Sequence, residues 1–190
     1  TPEGRLRASG LPGPAHAGTF ASLMPHRHPE AAPAWDSAVG HARRYAGGNA
    51  DEPWLVLLGP PGAGKTRLAA GVMIHRAYYP TAGPMGRWWV VPRLMNALRS
   101  RYEAGSYQYT LDALLAAPFV VLDDLGAGRQ TDWVQEQLYM ILDTRHMERL
   151  PTIVTTNLTG PEMAPRIADR VMASRSSYCL VVQLPTGSYR

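Results

Sequence analysis

The chain of 190 residues contains one cysteine, Cys179, and one lysine, Lys65. A single cysteine excludes an internal disulfide and a cysteine-rich zinc site, and it fits a reducing compartment. No run of about 18 apolar residues occurs, so we expect no helix that spans a membrane. Residues 1–30 lack a continuous apolar stretch, so we also expect no signal peptide.

Basic residues outnumber acidic residues by 19 to 15, and the sequence pI is about 9.5. This excess favours an anionic partner, although a net charge of +4 is modest. All basic residues except Lys65 are arginine. Because a compact ammonium fits a phosphate cradle in which a wide guanidinium does not, the lone lysine marks a position that requires lysine.

Prolines and glycines occur throughout residues 1–33, where they are expected to prevent regular structure. We therefore predict a flexible N-terminal arm over residues 1–34 and one folded domain over residues 35–190. The domain begins with a helix predicted over 35–45, whose apolar residues recur at helical spacing.

After residue 53 the apolar pattern alternates between short strands and helices. Such alternation predicts an α/β domain with a parallel sheet that is buried on both faces. The predicted strands are 54–58, 87–91, 119–122, 152–156 and 179–183, and the predicted helices are 65–78, 92–103, 111–117, 131–149 and 165–173.

A glycine-rich turn follows the first predicted strand and matches the phosphate-binding pattern G-x-x-x-x-G-K-[ST]. Its glycines allow successive backbone N–H groups to surround phosphates, and the N-terminus of the next helix adds positive potential. We expect Lys65 to reach the β- and γ-phosphates of a nucleotide and the Thr66 hydroxyl to ligate Mg²⁺. The predicted nucleotide-binding residues are Gly59, Pro60, Pro61, Gly62, Ala63, Gly64, Lys65, Thr66 and Arg67.

Three polar residues end strands of the predicted sheet. Asp123 and Asp124 follow the apolar residues 119–122, at the edge where a parallel sheet binds phosphates. We expect Asp123 to hold Mg²⁺ through its water shell, and Asp124 to orient and deprotonate an attacking water. Asn157 follows the strand 152–156, where its amide would bond a γ-phosphate oxygen and that water. The alternatives are aspartates that cap the next turn and an ordinary turn asparagine.

These motifs, in this order, resemble those of the AAA+ ATPases, and more narrowly those of the DnaC-like bacterial helicase loaders and the IstB-type transposase helpers. The similarity covers residues 35–190 and rests on GPPGAGKT, VVLDDLG, TIVTTN, RIADRV and the terminal GSYR. It implies a five-stranded parallel sheet, flanked by helices, in which the strand before Asn157 lies between the two nucleotide-motif strands. It also implies an ATP- and Mg²⁺-dependent ATPase in the cytoplasm of a bacterial or phage-infected cell.

The resemblance assigns further roles. Asn157 resembles sensor 1, and Arg190 resembles the sensor 2 arginine, which contacts the nucleotide of its own subunit. Arg170 resembles the arginine finger, which completes the site of a neighbouring subunit. From the residues alone, Arg166 and Arg170 lie four apart on one helix face, and the alternative is a pair of surface arginines bonded to Glu162 or Asp169.

Two features depart from the AAA+ pattern. Asp124 stands where most of these proteins have glutamate, and its shorter side chain must lie closer to the water. We therefore expect slow hydrolysis, which suits a switch better than a motor. Because the sequence ends at Arg190, we also expect the helical lid to be missing or minimal.

Arginine and aromatic residues interleave between the two nucleotide motifs, as is typical of proteins that bind single-stranded nucleic acid. A helical wheel over 92–103 places Tyr102 on the buried face and Arg99 on the outer face. The loop predicted at 105–109 is the candidate for base stacking. The candidate DNA-binding residues are Arg99, Arg101, Tyr107 and Tyr109.

Three functions follow from these motifs. The first is a switch that assembles into an oligomer with ATP and loads a hexameric replicative helicase of the DnaB type onto single-stranded DNA. The second is an ATPase that regulates a transposase. The third is a small-molecule kinase with a phosphate loop, which would need an acceptor pocket and arginines on a closing lid.

Overall fold

A computed structural model of the chain describes residues 1–13, 18–23, 29–103, 105–173 and 178–185. The helices are α1 (Pro2–Ser9), α2 (Ala32–Ala46), α3 (Lys65–Tyr78), α4 (Val91–Glu103), α5 (Tyr107–Leu115), α6 (Asp132–Met147) and α7 (Pro165–Val171). The strands are β1 (Trp54–Leu58), β2 (Arg87–Val90), β3 (Val120–Leu125), β4 (Thr152–Thr156) and β5 (Cys179–Gln183). Within the described ranges, no helix is both long and apolar enough to cross a membrane.

The five strands form one parallel sheet in the order β2-β3-β4-β1-β5. This confirms the predicted sheet, and β4 lies between β1 and β3 as the resemblance implied. Helices connect successive strands, so the chain returns to the same end of the sheet before each new strand. The carboxyl ends of β1, β3 and β4 therefore meet at one edge.

Successive residues of β1 pack into two different cores, because neighbouring side chains of a strand point to opposite faces of the sheet. Leu55 and Leu57 pack with residues of α2 and α3 on one face. Val56 packs with residues of α4, α5, α6 and α7 on the other face. This burial on two sides explains why β1 is apolar without alternation.

Helix α1 corrects the prediction that residues 1–33 lack regular structure. Pro2 occupies the first turn of α1, where a missing N–H costs little, and the Thr1 hydroxyl accepts the Gly4 N–H at 3.2 Å. Gly10 ends the helix with a φ of 78°, in the left-handed region that favours glycine. Proline and glycine thus start and end a helix here, and α1 packs against α3 and β2.

The predicted loop at 105–109 is also wrong in part, because α5 begins at Tyr107. In its first turn Gln108 donates to Asp112 at 2.8 Å, a pair four residues apart that supports a helix. The predicted buried face of α4 includes Tyr102, but this side chain is 70% exposed. It lies near the end of α4, where its ring forms a T-shaped contact with the ring of Tyr107, with centroids 5.8 Å apart.

Arg145 is fully buried at the edge of the sheet opposite the strand ends named above. Its guanidinium donates to the carbonyl oxygens of Leu114, Ala117 and Pro151 and to the Thr152 hydroxyl, at 2.9–3.1 Å. Burial lowers the pKa of Arg145 to about 10, so the group is charged at neutral pH. One side chain thereby joins the end of α5 to the starts of β3 and β4.

We expect Arg145→Met to lower the free energy of unfolding by about 3 kcal/mol or more, because each buried carbonyl left without a donor costs about 1–3 kcal/mol. Urea denaturation of the purified protein measures this loss. Arg44→Met is the matched control, since the Arg44 side chain is 47% exposed. Equal losses of stability in the two variants would contradict the role given to Arg145.

Candidate functional site

The phosphate loop connects β1 to α3, and Lys65 is the first residue of α3, as the sequence predicts. Gly62 and Gly64 have φ values of 83° and 96°, which side chains other than glycine rarely adopt. At Gly59, a Cβ atom would lie 3.1 Å from the Cβ of Leu184. The loop therefore requires glycine both for its turns and for its close approach to the chain after β5.

Lys65 is 7% exposed and ties the phosphate loop to the end of β4. Its Nζ donates to the carbonyl oxygens of Gly59 at 2.6 Å and Pro60 at 2.8 Å, and to Oδ1 of Asn157 at 2.6 Å. Burial lowers the pKa of Lys65, and the charges of Asp124 and Asp123 oppose that shift. The predicted sensor asparagine thus lies in direct contact with the predicted phosphate-binding lysine.

Asp123 is 5% exposed and accepts two hydrogen bonds at one oxygen. Its Oδ1 is 3.0 Å from the Thr66 hydroxyl and 2.6 Å from the Thr155 hydroxyl, and both hydroxyls donate. The two residues predicted to hold Mg²⁺, Thr66 and Asp123, are therefore in contact. The sequence motifs do not indicate Thr155, which lies within an ordinary β-branched strand two residues before Asn157.

The two aspartates lie in a β-bulge, because both face the single residue Thr155 of β4. Strand β3 therefore continues through both acids instead of ending before them. The Thr155 hydroxyl closes the bulge, since it donates to Asp123 and accepts the Asp124 N–H at 2.9 Å. The flanking pairs are Leu122 with Val154 and Leu125 with Thr156.

Asp124 has a φ of 64°, which is uncommon for a residue other than glycine. Aspartate and asparagine adopt this left-handed conformation more readily than longer side chains do. In a regular strand, Asp123 and Asp124 would point to opposite faces of the sheet. The bulge instead brings both carboxylates to the same pocket.

The pocket has a volume of about 390 Å³ and joins the phosphate loop, the bulge and the start of α4. It includes four residues that the sequence did not assign to the site. The order of the strands would have placed Val90 and Arg93 in the pocket, since β2 lies beside β3. No sequence motif indicates that Pro12, which follows α1, also lines the pocket. The four residues are Pro12, Val90, Arg93 and Thr155.

The Thr66 hydroxyl and the Asp123 carboxylate fit a magnesium ion. Both are oxygen donors, they lie 3.0 Å apart, and they adjoin a phosphate loop. Mg²⁺ keeps several water ligands and takes one or two protein oxygens together with substrate phosphates. When bound, the ion would neutralise charge on the phosphates.

Arg170 lies outside this pocket, since the described lining includes no residue of α7. Its Nε donates to Oδ1 of Asp143 on α6 at 2.8 Å, and its guanidinium carbon lies 6.0 Å from the centre of the Tyr139 ring. The acidic partner is thus neither of the two alternatives, Glu162 and Asp169. A position outside the pocket of its own chain is what an arginine finger requires.

The predicted sensor 2 residue, Arg190, lies outside the described residues. The four candidate DNA-binding residues are described. Arg99 is exposed and lies 5.0 Å from the Trp133 ring, and Arg101 donates to the Thr110 hydroxyl at 2.7 Å. Tyr107 is half-buried and donates to Gln137, whereas Tyr109 is 76% exposed.

A family model described as IstB-like ATP binding protein matches residues 49–190. The replicative helicase loader DnaI of Bacillus subtilis (strain 168) is 26% identical over 110 residues, which are 57% of this chain and 34% of that protein. A putative ATP-binding protein of insertion sequence IS5376 from Geobacillus stearothermophilus is 24% identical over 147 residues, which are 72% of this chain and 55% of that protein. The crystal structure of the DnaC helicase loader is 24% identical and has a TM-score of 0.71, with 88% of this chain and 96% of that chain covered.

The structural likeness confirms the predicted AAA+ fold. The chain spans 38% and 50% of the lengths of two further curated Bacillus subtilis relatives, YqaM and XkdC. The matched segment contains the phosphate loop, the bulge with its two aspartates, and Asn157. Because the match covers most of the chain and all of these residues, the protein belongs to the family of IstB-like ATP binding proteins.

Proposed function

We propose that the chain is an ATP-hydrolysing switch that acts as an oligomer and loads a replicative helicase of the DnaB type onto single-stranded DNA. The observation that carries the ATPase part is a set of direct hydrogen bonds in one pocket. Lys65 bonds Asn157 at 2.6 Å, and Thr66 bonds Asp123 at 3.0 Å. The phosphate loop, β3 and β4 are thereby joined where the phosphates of ATP would bind.

Only one orientation of the Asn157 side-chain amide allows the hydrogen bond from Lys65. Because an ammonium only donates hydrogen bonds, the amide presents Oδ1 to Lys65, and its NH₂ group is left to donate. That NH₂ group would bond a γ-phosphate oxygen. The Asp124 carboxylate would accept the proton of the attacking water, and Asp123 would hold the magnesium ion together with Thr66.

Arg170 supplies the oligomeric part of the proposal. An arginine that stabilises the charge on a transferring γ-phosphate can act in trans, from a neighbouring subunit. Arg170 lies on α7, outside the pocket of its own chain. The proposed active site is therefore completed by a second copy of the chain.

The helicase partner is supported by relatives that are themselves helicase loaders, DnaI of Bacillus subtilis and DnaC of Escherichia coli (strain K12). A single-stranded DNA surface is supported by Tyr102 and Tyr109, which are 70% and 76% exposed, and by the exposed Arg99. Exposed aromatic rings beside cationic side chains stack bases and neutralise the phosphate backbone.

The second candidate is an ATPase that regulates a transposase. It is favoured by the family model, which is that of IstB-like proteins, and by the relative from insertion sequence IS5376. The nucleotide chemistry is the same in both candidates. Affinity purification from the native host separates them, because a replicative helicase is retained in one case and a transposase in the other.

Substitution of Lys65 tests the nucleotide site. We expect Lys65→Ala and Lys65→Arg each to weaken ATP binding about 100-fold, since hydrogen bonds to charged groups contribute about 1.5–3 kcal/mol each. Lys65→Arg keeps the charge, but a guanidinium is too wide for acceptors that lie 2.6–2.8 Å from Nζ. Titration with a fluorescent ATP analogue measures the affinity, with the exposed Arg44→Ala as control. An unchanged affinity in Lys65→Ala would overturn the assignment.

A mixing experiment tests whether the site is shared. We expect Arg170→Ala and Asp124→Asn each to bind ATP normally and to hydrolyse it about 100-fold more slowly. Asparagine is chosen for position 124 because it also tolerates the φ of 64°. In a mixture, an Arg170→Ala subunit still offers Asp124 and its neighbour still offers Arg170. ATPase activity should therefore reappear when the two inactive proteins exchange subunits.

The two alternatives predict different results. If Arg170 is a surface arginine without a catalytic role, the Arg170→Ala protein keeps nearly full activity by itself. If each chain has a self-contained, kinase-like site, mixing the two variants restores no activity. Either outcome would contradict the oligomeric proposal.

The exposed tyrosines test the DNA surface. We expect Tyr109→Ala to weaken binding of single-stranded DNA about 10-fold, because stacking on an aromatic ring contributes about 1–3 kcal/mol per base. Tyr107→Phe is the matched control, since Tyr107 is half-buried and its hydroxyl bonds Gln137. Fluorescence anisotropy with a labelled oligonucleotide and ATP measures the affinity, which should fall steeply with salt. Equal affinities for both variants would place the DNA surface elsewhere.

A further inference from the structure

Two arginines of α7, Arg166 and Arg170, lie four residues apart and both approach the ring of Tyr139 on α6. Their guanidinium carbons lie 5.5 Å and 6.0 Å from the ring centre. Only Arg170 also has a carboxylate partner among the described residues, Asp143, which lies one helical turn after Tyr139. The structure therefore distinguishes two arginines that look equivalent in the sequence.

The contact between Arg170 and Asp143 uses only part of the guanidinium. Oδ1 of Asp143 accepts a hydrogen bond from Nε at 2.8 Å. A guanidinium has five N–H donors in a planar fork, and four of them belong to the two terminal amino groups. Within the described part of the chain, neither terminal amino group has a hydrogen-bond partner. Asp143 thus binds Nε and leaves the two terminal amino groups of Arg170 available to another partner.

We propose that Asp143 is a positioning residue for Arg170, which it holds at Nε so that the two terminal amino groups reach the γ-phosphate bound to a second copy of the chain. This inference rests on the proposed function, in which Arg170 acts in trans. A flexible arginine would lose conformational freedom on reaching the phosphate. Because Arg170 is already held between α6 and α7, it loses less conformational freedom when it binds the phosphate.

The geometry distinguishes a positioning role from an inhibitory one. A carboxylate that withheld the arginine from an end-on forked contact with a phosphate would occupy the two terminal amino groups, which bind phosphate in that contact. Asp143 occupies Nε instead. The side chains of both residues are about a third exposed, so the pair lies at a surface that a second copy can reach.

The two roles predict opposite effects of Asp143→Ala. If Asp143 positions Arg170, we expect this substitution to lower kcat for ATP about 10-fold, to leave KM within about twofold, and to leave Tm nearly unchanged, because such an exposed pair contributes little stability. Asp143→Asn keeps an acceptor for Nε and should retain at least half of the kcat. Asp36→Ala, an exposed carboxylate on α2, is the control and should behave as the unmodified protein.

A double-mutant cycle separates this proposal from the one on which it rests. If Asp143 acts only through Arg170, adding Asp143→Ala to Arg170→Ala causes no further loss of kcat. A further loss in that background, or a kcat of Asp143→Ala equal to or above that of the unmodified protein, would overturn the positioning role while leaving the arginine finger intact. Full activity of Arg170→Ala would overturn the arginine finger itself, and the positioning role with it.

Discussion

The pairing of β3 with β4 is the constraint on which the site depends. At one end, Arg145 binds Ala117, Pro151 and Thr152 and so fixes the two strands where they start. At the other end the register changes, and Thr155 faces both aspartates. Because the strands are fixed at their starts and are buried, the extra residue of β3 is accommodated at the polar edge. The bulge is therefore formed beside the phosphate loop, where the phosphates of ATP would bind.

Side-chain hydrogen bonds connect this edge to the phosphate loop at two points. Asp123 is bonded to Thr66 of α3 as well as to Thr155, and Lys65 is bonded to Asn157 after β4. The phosphate loop and the start of α3 are thus bonded both to β3 and to the end of β4. The same arrangement accounts for aspartate at position 124, since its φ of 64° favours a short polar side chain over glutamate.

Much of the fold and of the site could be predicted, because both depend on local patterns. The bounds of β1, α3, β4 and β5 agree with the predicted ranges, since apolar runs and the phosphate loop define them. The bulge could not be predicted, because it depends on which residue of β4 faces the aspartates. Helix α1 is not predicted, because proline and glycine usually break regular structure, whereas Pro2 and Gly10 lie at the two ends of this helix. The roles of Asp143 and Arg145 could not be predicted from a motif, because their hydrogen bonds are to residues that are distant in the sequence.

The charges in the pocket indicate what a second subunit would add in the proposed mechanism. Asp123 and Asp124 place two negative charges beside the phosphates, and Lys65 and Arg93 place two positive charges there. These four charges offset one another, so the further positive charge on the γ-phosphate would come from the Mg²⁺ held by Thr66 and Asp123 and from Arg170 of a second copy. In this mechanism, Arg170 of a neighbouring subunit adds positive charge to the pocket only when two subunits are in contact. In the proposed mechanism, hydrolysis is thereby coupled to assembly, which is the property that a switch requires and a self-contained ATPase lacks.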